Sequence, residues 1–475
     1  MLNKLIATSF IILCSLNLTF AQKQAKPNIV FILADDLGYG DLSCYGQKKF
    51  STPNIDKLAA KGIKFTQFYA GTSVCAPSRS SLLSGQHTGH TYVRGNKEVQ
   101  PEGQQPIPDS VSTIAEQFKK AGYATAIFGK WGLGFVGTSG DPNKQGFDTF
   151  YGYNCQRESH RFYPSHLWEN DKKVILKGND ELQNLITYAP DLIQGQALSF
   201  LDKNKDKPFF LYLTYTLPHA ELIVPNDDIF AKFDGKFPEK AFKGQDYGIG
   251  ATPAGYVSQA KPHATFAAMV TRLDKYVGQV MDKLKALGID DNTLIVFTSD
   301  NGPHTEGGAD PAFFNSSGGF RGVKRDLYEG GIRVPFIANW PQKIKSPSVN
   351  NHIGAFWDLY PTFSELLGLK QNSYTDGVSI LPSILGEKSQ KQHDYLYWEF
   401  HENNGRQAVR KNNWKGVYLN LKTKNAKFEL YDLDKDPQEK NDVALIYPEV
   451  VKELKDIMKK AHDESTVYPL FSATK

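Results

Sequence analysis

Asn28-Ile29-Val30-Phe31-Ile32-Leu33-Ala34-Asp35-Asp36 is a continuous apolar run, rich in β-branched residues, that ends abruptly in two carboxylates. Three later stretches repeat the form: Ala124 to Phe128 into Gly129-Lys130, Pro208 to Thr216 into Pro218-His219, and Thr293 to Thr298 into Asp300-Asn301. Unbroken apolar runs of this length suit strands buried on both faces of a parallel sheet. Helical patterns alternate with them. Val111 to Lys120 precedes the second run, and His263 to Leu287 precedes the fourth, with Phe266, Val270, Leu273, Val277, Met281 and Leu284 recurring at helical spacing. The alternation predicts an α/β fold, a large and mainly parallel β-sheet sandwiched by helices. Ligands of such sheets bind beyond the carboxyl ends of the strands, where all four runs place their polar residues.

Beyond about Gly386 the pattern changes. Tyr395 to Phe400, Arg406 to Arg410, Trp414 to Leu419 and Phe428 to Leu433 are separated by turn residues and predict a smaller antiparallel sheet, followed by a final helix over Pro448 to His462. Ile223 to Lys261, rich in Gly, Pro and aromatics, reads as a long loop of the kind that covers a site. At the other end, Lys4, the apolar Leu5 to Leu18 and the small residue Ala21 read as a cleaved secretory signal, with an apolar core too short to span a bilayer. The expected division is therefore a signal peptide at 1–21, a catalytic domain at 22–386 and a C-terminal subdomain at 387–475, exported to the periplasm or secreted.

The charge is nearly balanced, with 55 basic and 51 acidic side chains and no long basic or acidic run, so neither nucleic acid nor a membrane surface is indicated as a partner. An anionic substrate must then be gripped locally. Cleavage would remove Cys14 and leave Cys44, Cys75 and Cys155, too few for a disulfide framework; Cys44 and Cys155 are one possible pair, which spacing cannot decide.

Asp35, Asp36, Asp300 and Asn301 bring four oxygen-bearing side chains from two strand ends, the donor set a hard cation such as calcium prefers; zinc would call for Cys or His ligands. Arg79, Lys130, His219 and Lys324 are candidates to neutralise a tetrahedral oxyanion, Arg through a bidentate fork and Lys as a point charge. Lys324 sits in a Gly-rich loop beside Arg321 and Arg325, and position alone does not choose among the three. The stretch Cys75-Ala76-Pro77-Ser78-Arg79-Ser80-Ser81-Leu82-Leu83-Ser84-Gly85 is a long constrained pattern, although Cys75 by itself also suits a buried small hydrophobe.

That stretch resembles the signature at which a cysteine is converted to formylglycine. With Pro27 to Asp36, Gly129-Lys130-Trp131-Gly132-Leu133-Gly134, Pro218-His219, Phe297 to Gly302 and Gly322-Val323-Lys324, the chain resembles the formylglycine-dependent arylsulfatase family over nearly the whole mature length. The resemblance implies an alkaline-phosphatase-like fold. It implies that Asp35, Asp36, Asp300 and Asn301 hold Ca2+ together with residue 75 as 3-oxoalanine (formylglycine), that Arg79 supports this group, and that Lys130, His219 and Lys324 contact sulfate. A formylglycine-generating enzyme would be a partner.

One position departs from the family pattern: Gly132 stands where a histidine is usual. His90 and His304 are the candidates to substitute for it. For the substrate, Arg94 and Asn96, then Asn154-Cys155-Gln156-Arg157 with His160, Arg161, Tyr163, His166 and Trp168, suit sugar rings and equally a structured surface loop. The Gly-Lys-Trp-Gly form and the Asn154 segment resemble bacterial polysaccharide sulfatases, which implies a sulfated carbohydrate: galactose or N-acetylgalactosamine sulfate, or an algal polysaccharide such as ulvan or carrageenan, entered at a non-reducing end. The alternatives are a phosphoesterase of the same superfamily, disfavoured by Cys75 and the acidic ligand set, and a non-catalytic glycan-binding protein, supported by Gly132.

Overall fold

The computed structural model describes residues 26–179, 184–246, 255–344, 347–370 and 374–471. The signal peptide read at 1–21, with Cys14, lies outside the described residues. One sheet is built from β1 (Asn28–Ala34), β2 (Ile63–Tyr69), β3 (Ala124–Lys130), β4 (Thr149–Tyr153), β5 (His166–Glu169), β6 (Lys172–Ile175), β7 (Phe209–Thr214), β8 (Thr293–Ser299), β9 (Arg333–Asn339) and β10 (Ser348–Ala355). The strand order is β10-β2-β9-β8-β1-β7-β3-β4-β5-β6. Its centre, β8-β1-β7-β3-β4, is parallel throughout. The edges mix directions: β9 runs antiparallel to β8 and β2, and β5 and β6 form an antiparallel extension of β4. All four strands predicted from apolar runs lie in the parallel centre.

Every residue of β1 is buried, and its side chains divide between the two faces. Val30, Ile32 and Ala34 pack in one core with α1 (Pro53–Ala60), whose Ile55 and Leu58 face them. Ile29, Phe31 and Leu33 pack in the opposite core with Leu82 and Leu83 of α2 (Cys75–Ser84) and Phe118 of α3 (Ile114–Lys120). The first face also takes α4 (Ala189–Asn204) and α5 (Pro262–Ala286), and the second takes α6 (Leu359–Leu366). This is the alkaline-phosphatase-like layout, helices on both faces of a mostly parallel sheet.

The smaller antiparallel sheet comprises β11 (Leu396–Phe400), β12 (Arg406–Lys411), β13 (Trp414–Leu419) and β14 (Lys427–Asp432) in sequential order, backed by α7 (Pro448–Lys460) through Leu454 and Met458. Between Ile223 and Lys261 the described residues hold one helical turn, Asp228–Ala231, and an isolated bridge between Phe242 and Gln259. No helix among the described residues is long and apolar enough to cross a membrane. Cys44, Cys75 and Cys155 are all free thiols, so the pairing left open for Cys44 and Cys155 is absent.

Glu399 on β11 ties the tail to this small sheet, accepting from Tyr397 Oη at 2.7 Å and pairing with His401 Nε2 at 2.9 Å and His462 Nδ1 at 2.6 Å. Burial alone would raise its carboxyl, but the bonds from His401 and His462 hold it down to about 2, against an ordinary 4.5. A depressed folded-state value contributes stability above the unfolded value that is lost as pH falls through the folded one. Unfolding titrations in urea should therefore show a fall in stability from pH 4.5 towards 2 that Glu399→Gln flattens, with the variant already less stable than wild type at pH 7.

Candidate active site

The register of β1 against β8 pairs Ala34 with Ser299, so Asp35-Asp36 and Asp300-Asn301 leave the sheet side by side. Backbone bonds lock the pair together: Asp300 N–H donates to Ala34 O at 3.1 Å, and Asp36 N–H to Asp300 Oδ1 at 3.0 Å. Asp36 adopts φ 60°, a left-handed turn that Asp tolerates better than most residues. All four side chains are fully buried.

Helix α2 brings Cys75 to the same point. Cys75 is its first residue, so the thiol stands where backbone N–H groups and the helix dipole favour an anion. The following Ala76 N–H donates to Asn96 Oδ1. Ser78 Oγ donates to Asp300 O at 2.5 Å and pins the helix to the strand end. Gly85 ends the helix at φ +73°, where a Cβ would meet Tyr360 Cβ at 2.5 Å, and this is why the stretch closes on glycine. The Cys75 Sγ lies 3.5 Å from Asp35 Oδ1 and 4.0 Å from Asp36 Oδ1. Burial pushes the thiol well above its ordinary range.

Three cations interleave with these carboxylates. Arg79, one helical turn after Cys75 and so on its face of α2, directs Nε and Nη2 to Asp300 Oδ2 at 3.1 and 2.9 Å and Nη1 to Lys130 O. Lys130, ending β3, donates to Asp35 Oδ2 at 2.7 Å. Lys324 donates to Asp36 Oδ2 at 2.8 Å and to Glu306 Oε2 at 2.9 Å. Burial is the largest influence on each and opposes the charge, but neighbouring groups together outweigh it, led by Asp300 for Arg79, Asp35 for Lys130 and Asp36 for Lys324, and all three are held above their ordinary range.

Beyond β7, His219 lies with Nε2 2.8 Å from Lys324 Nζ and 3.2 Å from Asp36 Oδ2. Its Nδ1 bonds Ala220 O, which assigns the proton to Nδ1 and leaves Nε2 the lone pair. Burial, then Lys324 and Lys130, push it well below its ordinary range, so the ring is neutral. His160 stacks on it at 4.4 Å and His304 at 5.4 Å.

Asp35, Asp36, Cys75 and His219 each offer a ligand atom within 4.8 Å of one another. Asn301 Nδ2 donates to Asp36 Oδ1 at 2.6 Å, yet its buried Oδ1 has no partner among the described residues. An orphaned oxygen amid three buried carboxylates is the donor set of a hard divalent cation, so these residues fit calcium.

A cavity of about 390 Å3 opens onto Cys75 and Lys324. Of the residues read as substrate contacts, Asn96, Gln156, Arg157 and His160 line it. The others do not line it. His90 pairs with Asp376 at 2.9 Å, Arg94 donates to Thr91 O and Asp463 O, and His166 pairs with Glu102 at 2.9 Å. His304 uses both ring nitrogens, towards Pro218 O and the Glu306 N–H, and its place is to back His219. Of the competing cations, Lys324 reaches Asp36, Arg325 lines the cavity mouth and bonds Glu306, and Arg321 turns to Tyr431 and Tyr328. Sequence reasoning missed Glu306, Gln104, Tyr256, Glu98 and Glu402, which lie in loops, a two-residue ribbon (Glu98 against Gln104) and a single 3-10 turn (Glu306–Gly308), all too short to show periodicity; only Tyr256 lay in a segment already read as a cover.

A mostly parallel sheet whose strand ends combine buried carboxylates, an orphaned amide oxygen and buried cations defines a hydrolase of anionic esters in the alkaline-phosphatase-like class. Within that class the chain belongs to the sulfatase family: the Sulfatase family model matches residues 27–369, and the model described as N-sulphoglucosamine sulphohydrolase, C-terminal, matches 319–464. It is a sulfuric ester hydrolase. It is 31% identical to an N-acetylgalactosamine-6-O-sulfatase of Bacteroides thetaiotaomicron over 92% of this chain and 93% of that one. It is 32% identical to arylsulfatase A of Homo sapiens over 91% and 87%. The crystal structure of Ps i-CgsB in complex with k-i-k-neocarrahexaose is similar with a TM-score of 0.75 and 29% identity, covering 92% of each chain.

Arg79→Ala removes the guanidinium that bridges Asp300 and Lys130 O and leaves buried carboxylates less compensated. Urea unfolding should register a loss of about 3–5 kcal/mol, the cost of deleting one partner of a buried pair, with Arg79→Lys restoring part of it.

Proposed function

We propose that this protein is an exported, calcium-dependent sulfatase that removes sulfate from the terminal residue of a sulfated sugar, with Cys75 converted to formylglycine. The observation that carries the reading is the convergence of Cys75, at a helix N-terminus, with Asp35, Asp36, Asp300 and Asn301 in one buried cluster. The hydrate of formylglycine supplies two hydroxyls on one carbon, one to attack sulfur and one whose deprotonation expels sulfate and restores the aldehyde. Bound calcium, held by the four side chains, supplies Lewis-acid stabilisation of sulfate oxygens.

The chain's own residues do the rest. Arg79 stays on Asp300 and fixes the floor beneath residue 75. Lys130 and Lys324 grip the sulfate oxygens by charge in a dry site, where such contacts are strongest. Lys324 Nζ carries protons and His219 Nε2 accepts one of them at 2.8 Å, so His219 orients the ammonium, which holds the ester oxygen and hands it a proton as the alcohol leaves. At the cavity mouth, Arg157 pairs with Glu98 and Arg325 with Glu306 at 2.5 Å, so these guanidiniums offer hydrogen bonds to hydroxyls more than free charge to a second sulfate. Glu402, beyond β11, completes the mouth, so the proposed C-terminal subdomain at 387–475 shares in substrate selection with the catalytic unit at 22–386.

A cavity of this size suits one terminal sugar. The names of the relatives point to N-acetylgalactosamine sulfate, with neocarrahexaose-type ends as a further class, and galactose sulfates stay within the same reading. Export rests on the leader at 1–21. The test is sulfate release from a panel of sulfated monosaccharides and carrageenan or ulvan oligosaccharides. Release from N-acetylgalactosamine or galactose sulfates, and from the non-reducing ends of oligosaccharides, is the expected result; release only from internal positions contradicts the terminal-sugar reading. Chelation should lower the thermal midpoint as well as abolish turnover, and added calcium should restore both.

A further inference from the structure

Gly132 stands two residues beyond Lys130 with φ +82°, and a Cβ there would meet the Nε2 of Gln156 at 2.1 Å. The amide of Gln156 occupies the space a side chain at 132 would need. Backbone bonds hold it there: Trp131 N–H donates to Tyr153 O and Gly132 N–H to Asn154 O, both at 3.0 Å, and Gln156 N–H donates to Gln104 Oε1 at 3.2 Å. Gln156 is 6% exposed, and neither its Nε2 nor its Oε1 has a partner among the described residues. Yet it lines the same cavity as Cys75, His160 and Lys324. A buried amide with both polar atoms unpaired is costly and calls for a ligand.

We infer that Gln156 is a substrate-binding residue, whose Nε2 donates to an oxygen of the sulfate group held over residue 75 from the side where residue 132 has no side chain. Nε2 is the atom that lies over Gly132, close in sequence to the strand end that carries Lys130. An amide neither takes nor gives up a proton at ordinary pH, so Gln156 holds the sulfate and leaves proton movement to other groups. The inference rests on the sulfate-site reading above.

The test is calorimetric titration of inorganic sulfate into the calcium-loaded protein. Gln156→Met keeps the volume and removes both polar atoms, and sulfate should bind it about tenfold or more weakly, the effect of one hydrogen bond to a charged group. Gln156→Glu should bind sulfate poorly at pH 8 as a carboxylate and recover towards wild type at pH 4, below the ordinary glutamate value of about 4.3, where a protonated carboxyl can donate. Lys324, Arg325, Arg157 and His160 and the carboxylates Glu98 and Glu402 face the same cavity, so wild type titrated at both pH values is the reference. Equal affinity of wild type and Gln156→Met, with unchanged thermal midpoints, overturns the inference while leaving the site reading intact. Should Gln156→Met lose its fold, recovery of Gln156→Glu at low pH supports the inference, and affinity tracking wild type at both pH values overturns it. A wild-type protein that binds no sulfate overturns both readings.

Discussion

The parallel pairing of β1 with β8 is the constraint on which the site depends. Its register sets Ala34 beside Ser299 and therefore Asp35 and Asp36 beside Asp300 and Asn301. Three carboxylates emerging together in a fully buried place repel one another and lose hydration, a combination that stands only if cations share the space. Arg79, Lys130 and Lys324 provide that compensation from three other parts of the chain. The same charges that make the cluster tolerable make it a receptor: a divalent cation can engage the carboxylates while the displaced lysines turn to an anion.

The rest of the fold serves this arrangement. Helix α2 has every residue buried, an amphipathic compromise given up so that Cys75 and Arg79 reach the cluster from one face while Leu82 and Leu83 pack on the sheet. The small C-terminal sheet packs across Tyr69 and Val74, at the end of β2 and just ahead of α2, through Trp398 and Ala408, and it adds Glu402 to the cavity mouth. The reacting centre is thus set by the buried sheet, whereas the surfaces that read the sugar come from loops. Relatives can keep the first and vary the second.

Much of this was legible in the sequence because a strand buried on both faces writes itself as an unbroken apolar run. The four such runs gave four of the five strands of the parallel centre, their polar ends gave the proposed ligand set, and the change of period after Gly386 gave the second sheet. The strands that escaped have a different physics. β2 interleaves Lys64, Thr66 and Gln67 with its apolar positions, and β10 carries Asn350, Asn351 and His352, because both lie towards an edge. β9 contains Pro335, which has no N–H to donate; the pairing with β2 shifts register between Val334 and Phe336 to pass it. In the site, residues at strand ends were readable and loop residues were not. His90, Arg94 and His166 have the right chemistry, but Asp376, Asp463 and Glu102 satisfy them elsewhere. Gln156 stood in a stretch already noted, yet its tie to Gly132 exists only in three dimensions.

The most direct test of the account is the mass of the peptide containing residue 75, from protein produced alongside a formylglycine-generating enzyme. The account predicts a peptide lighter by about 18 Da, as thiol becomes aldehyde to activate the nucleophile. An unmodified thiol under those conditions would contradict it and leave a sulfated-glycan-binding protein in place of the enzyme.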